Sequence, residues 1–178
     1  MDTYTAARPG EDEYPAYFNG YVSRVPAGDV LETLRRQLPE TLDLLGGVSE
    51  ERAGQSYEPG KWTVKELVGH CIDSERVFAY RALAIARGET TPLPGFDQDL
   101  YAANVDFNSR TLRSLAEEFA RVRASTLDLL TNLDRRAWER RGTANDNTMS
   151  VRALAHIIAG HVTHHAHVLR ERYLGGQG

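Results

Sequence analysis

Apolar residues recur at spacings of three and four in four stretches of the chain, and no stretch alternates convincingly enough to read as a strand. The first stretch runs from about Asp29, an N-cap candidate, to Leu45, with Leu31, Leu34, Leu38, Leu42 and Leu45 on one face and Gly46-Gly47 as its stop. Pro39 falls inside it and predicts a kink or an early break. The second starts at Thr63, where Thr63-x-x-Glu66 reads as a capping box, and continues through Leu67, His70, Cys71, Phe78 and Ile85 to Gly88. The third spans Ser109 to Leu133, with Leu112, Leu115, Phe119, Val122, Thr126, Leu129 and Leu130 on one side. The fourth starts after Ser150 and ends near Tyr173, with Gly175-Gly176 beyond it. Turn-rich segments at 58–61, 91–99 and 142–147 separate the later helices. Residues 1–28 hold three prolines and several tyrosines, and predict an extended arm packed on the body. Four helices with one apolar stripe each predict an all-α four-helix bundle, as a single domain over residues 1–178.

Composition narrows the function classes. Acidic and basic residues are interleaved, the net charge is -4, and no basic block occurs, which argues against a nucleic-acid partner. No apolar signal core opens the chain and no stretch is long enough to span a membrane, so a cytoplasmic protein without a membrane partner is expected. The single cysteine, Cys71, excludes an internal disulfide and a cysteine-based zinc finger, and suits a reducing compartment.

The candidate chemistry lies in the histidines. His156, His161, His164, His165 and His167 crowd the fourth helix, and His70 stands alone on the second. On a helical wheel His165 lies about 40° from His161, and His164 about 60° to the other side. Leu154, Ile158, Val168 and Leu169 bracket His161 and His165, which predicts that this pair points inward. His164 falls at the border, while His156 and His167 fall near Arg152 and Arg170 and are expected in solvent. Imidazoles four residues apart sit one turn apart, roughly 6 Å along the axis, and can chelate one metal ion. A catalytic site needs a further ligand. His70, at the edge of the second stripe, is the remaining candidate, so His70, His161 and His165 form the economical ligand set.

Longer motifs add a resemblance. Lys61-Trp62-Thr63-Val64-Lys65-Glu66-Leu67-Val68-Gly69-His70 resembles the start of the second helix in the DinB superfamily. So do Asp73-x-Glu75-Arg76-x-Phe78-x-Tyr80-Arg81, the loop Pro94-Gly95-Phe96-Asp97, and Gly160-His161-Val162-Thr163-His164-His165 on the last helix. The likeness runs from about Gly20 to Tyr173. It implies an up-down-down-up bundle and a divalent metal, often nickel or zinc, held by three histidines, which map to His70, His161 and His165. It further implies a transferase or isomerase using a low-molecular-weight thiol such as bacillithiol, mycothiol or glutathione, and a possible homodimer.

The expected function is therefore thiol transfer to a small electrophile, the metal turning the bound thiol into its reactive thiolate. Hydrolysis by an activated water is the alternative that the same site permits, and a non-catalytic stress-response binding protein is the third. Cys71 lies about 100° round the helix from His70 and is expected in the core. Arg81 shares the His70 face and, with His164, is a candidate for substrate handling; an internal salt bridge is an equal alternative for Arg81. Glu75 is expected to pair with a buried arginine. Asp97 and Asp99 are expected to cap the loop, and Trp62, Phe96 and Trp138 to pack.

Overall fold

In the computed structural model, residues 7–175 are described. Among them lie eight α-helices: α1 (Asn19–Val22), α2 (Val30–Gly46), α3 (Glu50–Ala53), α4 (Val64–Ala86), α5 (Gln98–Ala103), α6 (Leu112–Thr131), α7 (Arg135–Trp138) and α8 (Val151–Val168). The long helices α2, α4, α6 and α8 are the four that the periodicity predicts, and a π-helical turn over Leu169–Tyr173 extends the last. Each starts on a polar cap. Asp29 accepts the Leu31 N–H, Thr63 and Glu66 close a reciprocal capping box, and Thr111 and Ser150 accept the N–H groups of Ser114 and Ala153. Each such cap stabilises its helix by about 1 kcal/mol.

Cross-helix hydrogen bonds fix the directions. Thr63 meets Asn108 and Arg76 meets Glu118, so α4 and α6 run parallel. The Tyr173 hydroxyl donates to the Trp62 carbonyl, and the rings of His70 and His161 meet, so α4 and α8 run antiparallel. Arg35 reaches Thr131, while Glu50, just past the end of α2, accepts the Leu112 N–H. Thus α2 opposes α6 and parallels α8. The bundle is up-down-down-up, and its parallel α4–α6 step requires the long crossover 87–111.

Two apolar clusters fill the bundle. One gathers Leu34, Phe78, Trp138, Leu154 and Ile158, and the other Val68, Leu115, Phe119 and Val162. Between them lies a polar layer. Arg123, fully buried, donates twice to Glu75 at 2.8 Å, to the Leu34 carbonyl and to Gln37 Oε1. Gln37 in turn donates to the Ala159 carbonyl and to Thr163 Oγ1. The expected buried partner of Glu75 is therefore Arg123, which sequence periodicity did not single out.

Three expectations are corrected. The early break at Pro39 does not occur: α2 continues through it to Gly46, with Pro39 on the exposed side. The segment 142–147 is not a plain loop: β1 (Arg141–Ala144) and β2 (Asn147–Ser150) form an antiparallel hairpin. Asn145 and Asp146 turn it with φ of 51° and 59°, a conformation these residue types tolerate. Four-residue strands are too short for alternation to be legible.

The third correction concerns the arm. Residues 1–6 lie outside the described residues; the rest of the arm packs on the body as expected, but much of 11–22 is helical and not extended. Short 3-10 turns at Glu11–Glu13 and Ala16–Phe18 lead into α1, which lies across α8. Gly160 allows that approach, because a Cβ built there would stand 2.0 Å from the Tyr21 carbonyl oxygen. A mid-helix glycine costs roughly 1 kcal/mol relative to alanine, and here no larger residue fits. Glu13 locks the arm by accepting from Arg152 at 2.6 and 2.5 Å and from the Gly10 N–H at 2.8 Å.

Candidate metal centre

His70 comes from the second turn of α4, and His161 and His165 from successive turns of α8. These helices are antiparallel neighbours, which brings the three rings together at the level of the polar layer. His70 Nε2 lies 2.9 Å from His161 Nε2, which lies 3.1 Å from His165 Nε2. One ligand atom from each residue falls within 4.8 Å of the others. Two imidazoles with Zn–N bonds of about 2.05 Å at a tetrahedral angle would place their nitrogens about 3.3 Å apart. The two separations to His161 are within a few tenths of that value, and the third pair lies within 4.8 Å, so the donor set suits a small divalent ion.

The electrostatics agree. Burial lowers His70 to about 4 and His165 to about 3, with neighbouring histidines adding to the effect. Burial and the same neighbours also hold His161 well below its ordinary value. All three rings are therefore neutral near pH 7 and present lone pairs. His165 Nδ1 is buried without a hydrogen-bond partner, whereas His70 Nδ1 has Ser74 Oγ at 3.4 Å. The Trp62 ring lies over His70 with centroids 4.7 Å apart, and Tyr21 meets His161 edge-on at 5.3 Å.

The remaining histidines divide differently from expectation. His164 packs on Tyr21 and on His165, beside the cluster and outside its triangle. Burial, Arg24 and His167 lower its pKa. His167 is exposed, as expected. His156 is not in solvent: it is 1% exposed, and its Nδ1–H donates to the Arg152 carbonyl at 2.8 Å. The folded arm covers the side of α8 that a four-helix wheel leaves open.

A cleft of about 580 Å³ opens beside the cluster. His161 and Ser74 line one part of it, Arg81 and Phe96 another, and Tyr17, Phe18 and Tyr21 of the N-terminal arm close a side. Phe96, expected only to pack, thus borders the cleft. Asp97 caps α5 by accepting the N–H groups of Asp99 and Leu100, in line with the capping expectation. Trp138 is core, and Cys71 is buried, its thiol pushed up by burial and Glu75. The arm contacts were missed because no periodic signal marks them; the glycine inside the apolar run of α8 was the one available clue.

A helical bundle with three convergent histidines at its midpoint defines a class of candidate metalloproteins. The chain belongs to the DinB superfamily, whose model matches residues 33–169. It is similar to an Oceanobacillus iheyensis protein provisionally named metal-dependent hydrolase OB0413, with 33% identity over 79 residues. That match spans 44% of this chain and 43% of the relative. The fold is similar to YfiT from Bacillus subtilis, described as a probable metal-dependent hydrolase with an unusual four-helix bundle topology. The TM-score is 0.69 at 18% identity, covering 92% of this chain and 89% of that one. Among the described residues no helix is long and apolar enough to cross a membrane.

Proposed function

We propose that this chain is a metal-dependent enzyme acting on a small molecule, with one divalent cation, zinc or nickel, held by His70, His161 and His165. The observation that carries this is the convergence of three neutral imidazoles with nitrogens within 4.8 Å of one another, one of them, His161, lining a cleft. A divalent ion with three uncharged ligands keeps its full charge and lowers the pKa of a water or thiol at its open position.

The chain's own residues supply the setting. Ser74 faces the outer nitrogen of His70 and can orient that ring, and Trp62 shields it from solvent. Tyr21 and Phe78 pack edge-on against His161 and keep water from its flank. Glu75 is committed to Arg123 and leaves the site without an added negative charge.

Hydrolysis with water as nucleophile agrees with the names of both relatives. Transfer of a low-molecular-weight thiol is the second reading. It is favoured by a cleft with room for two reactants and by the burial of Cys71, so that any reacting thiol comes from outside. The test is to prepare untagged protein and measure its metal content. An ester and amide panel is then assayed, alongside glutathione- and bacillithiol-type conjugation to an electrophile. One metal per chain and turnover lost together in His70→Ala support the enzyme. Ester cleavage without thiol selects hydrolysis, and strict thiol dependence selects transfer. Metal without turnover on either panel would make it a binding protein, and protein that takes up no metal would overturn the site.

A further inference from the structure

We propose that Arg81 recognises a carboxylate on the molecule that enters the cleft, making the ligand a small organic acid with an aromatic or apolar body. This rests on the cleft being the approach to the histidine cluster, and it deepens that reading by naming the ligand class.

A guanidinium carries five N–H donors and a fixed charge, and burying it without acceptors is costly. Arg123 shows the satisfied case: fully buried, it is matched by both oxygens of Glu75, the Leu34 carbonyl and Gln37. Arg81 is 4% exposed, and among the described residues its side chain makes one hydrogen bond, from Nη2 to the Pro94 carbonyl at 2.7 Å. No carboxylate among the described residues pairs with it. Its guanidinium sits 5.8 Å from the Phe78 ring centroid and 5.7 Å from that of Phe96, contacts that hold it without neutralising it. A purely structural strut to the crossover would need only the Pro94 contact. The remaining donors form the planar fork that suits a carboxylate.

Position supports the assignment. Arg81 follows His70 by eleven residues, which returns it to within about 20° of the same helix face, about 16 Å along the axis. Helical side chains lean toward the N-terminus, so a long arginine shortens that distance. Both Arg81 and His161 line one cleft, with Phe18, Tyr21, Phe78 and Phe96 between and around them. A ligand spanning the two ends carries its acid at Arg81, an aromatic ring or short acyl chain along the walls, and its reacting group at the histidines.

The carboxylate can belong either to the molecule attacked or to a thiol co-substrate, and paired probes separate these. Calorimetry compares 3-phenylpropionate with 3-phenylpropionamide, and N-acetylcysteine with its amide, on metal-free and metal-loaded protein. At least one acid is expected to bind about 10- to 100-fold more tightly than its amide, the range of a charge-assisted hydrogen-bond pair. Preference in the first pair assigns the acid to the substrate, and in the second to the thiol. Arg81→Gln should erase the preference while leaving metal stoichiometry unchanged, and Arg81→Lys should keep part of it. In wild-type protein the Arg81 Nε–H resonance should shift on titration with the acid alone, a readout that does not depend on any variant folding. Equal affinity for acid and amide in both pairs would overturn the proposal, as would an unmoved Arg81 signal or an Arg81→Gln protein with intact preference. Acid preference on protein that takes up no metal would keep Arg81 as an anion site and sink the metalloenzyme reading instead.

Discussion

The two sides of α8 carry the same residue type in opposite conditions. On the inner side, His161 and His165 point nitrogens at each other and at His70, and one buried nitrogen of His165 has no partner. On the outer side, His156 is buried more deeply than any of these, yet its Nδ1–H is satisfied within its own helix by Arg152. Burial lowers the pKa on both sides. What separates a candidate ligand from a filler is therefore neither burial nor a shifted pKa but the convergence of ring nitrogens on one another. One side is held by facing helices, the other by an arm clamped through Glu13.

Four experiments probe that contrast, beginning with the largest effect. His161→Ala should abolish metal uptake while His156→Leu keeps one ion per chain, both checked by elemental analysis on folded protein. Loss of metal in both would erase the distinction. Gly160→Val comes next, because the added carbons meet the Tyr21 backbone, which cannot yield as a side chain can. It should cost about 3 kcal/mol in urea unfolding and open residues 19–28 to proteolysis. Unchanged protease resistance would mean the arm is not seated on α8.

Glu13→Gln should cost about 2 kcal/mol, the scale of hydrogen bonds to a charged group. Burial would raise the Glu13 pKa, but hydrogen bonds from Arg152, Ser150 and the Gly10 amide outweigh it and hold it at about 2. A carboxyl depressed in the folded state contributes stability that is fully present above its ordinary 4.5 and lost as pH falls toward about 2. As pH falls from 4.5 toward about 2, wild-type protein should lose more stability than Glu13→Gln, so that the gap between them closes. The smallest signal is calorimetric. Because His70 stands at about 4 and His165 at about 3, these ligands should release almost no protons on metal uptake at pH 7.5, so a proton release measured across buffers of different ionisation enthalpy reports water ionising at the open position. The same depressed values make the metal-free protein lose stability as pH falls from 6.5 toward about 4 and 3, since the unfolded chain protonates first.

Much of the frame was legible because each long helix carries an apolar stripe and a polar cap. The inward pair on α8 followed from helical geometry, and His70 from the need for a third ligand. The outer side was misread because a wheel knows only neighbours that are themselves periodic. Nothing in residues 7–28 announces a partner for His156, and the Glu13–Arg152 pair spans 139 positions. Arg123 was missed for a related reason. A cation on an apolar face reads as a break in the stripe until its anion is found on another helix. Arg81 was placed on the correct face, but its single carbonyl bond could not be foreseen.

The parallel α4–α6 step has one more consequence. It obliges the chain to traverse the full height of the bundle between those helices, and the crossover that does so delivers Phe96 to the cleft and the Pro94 carbonyl to Arg81. The arm delivers the facing aromatic wall. The histidines are borne by the frame, whereas much of the chamber beside them is built from connections that tolerate insertion and exchange. Selection can therefore remodel what the chamber admits, by editing segments outside the long helices, and leave the ion-holding geometry untouched.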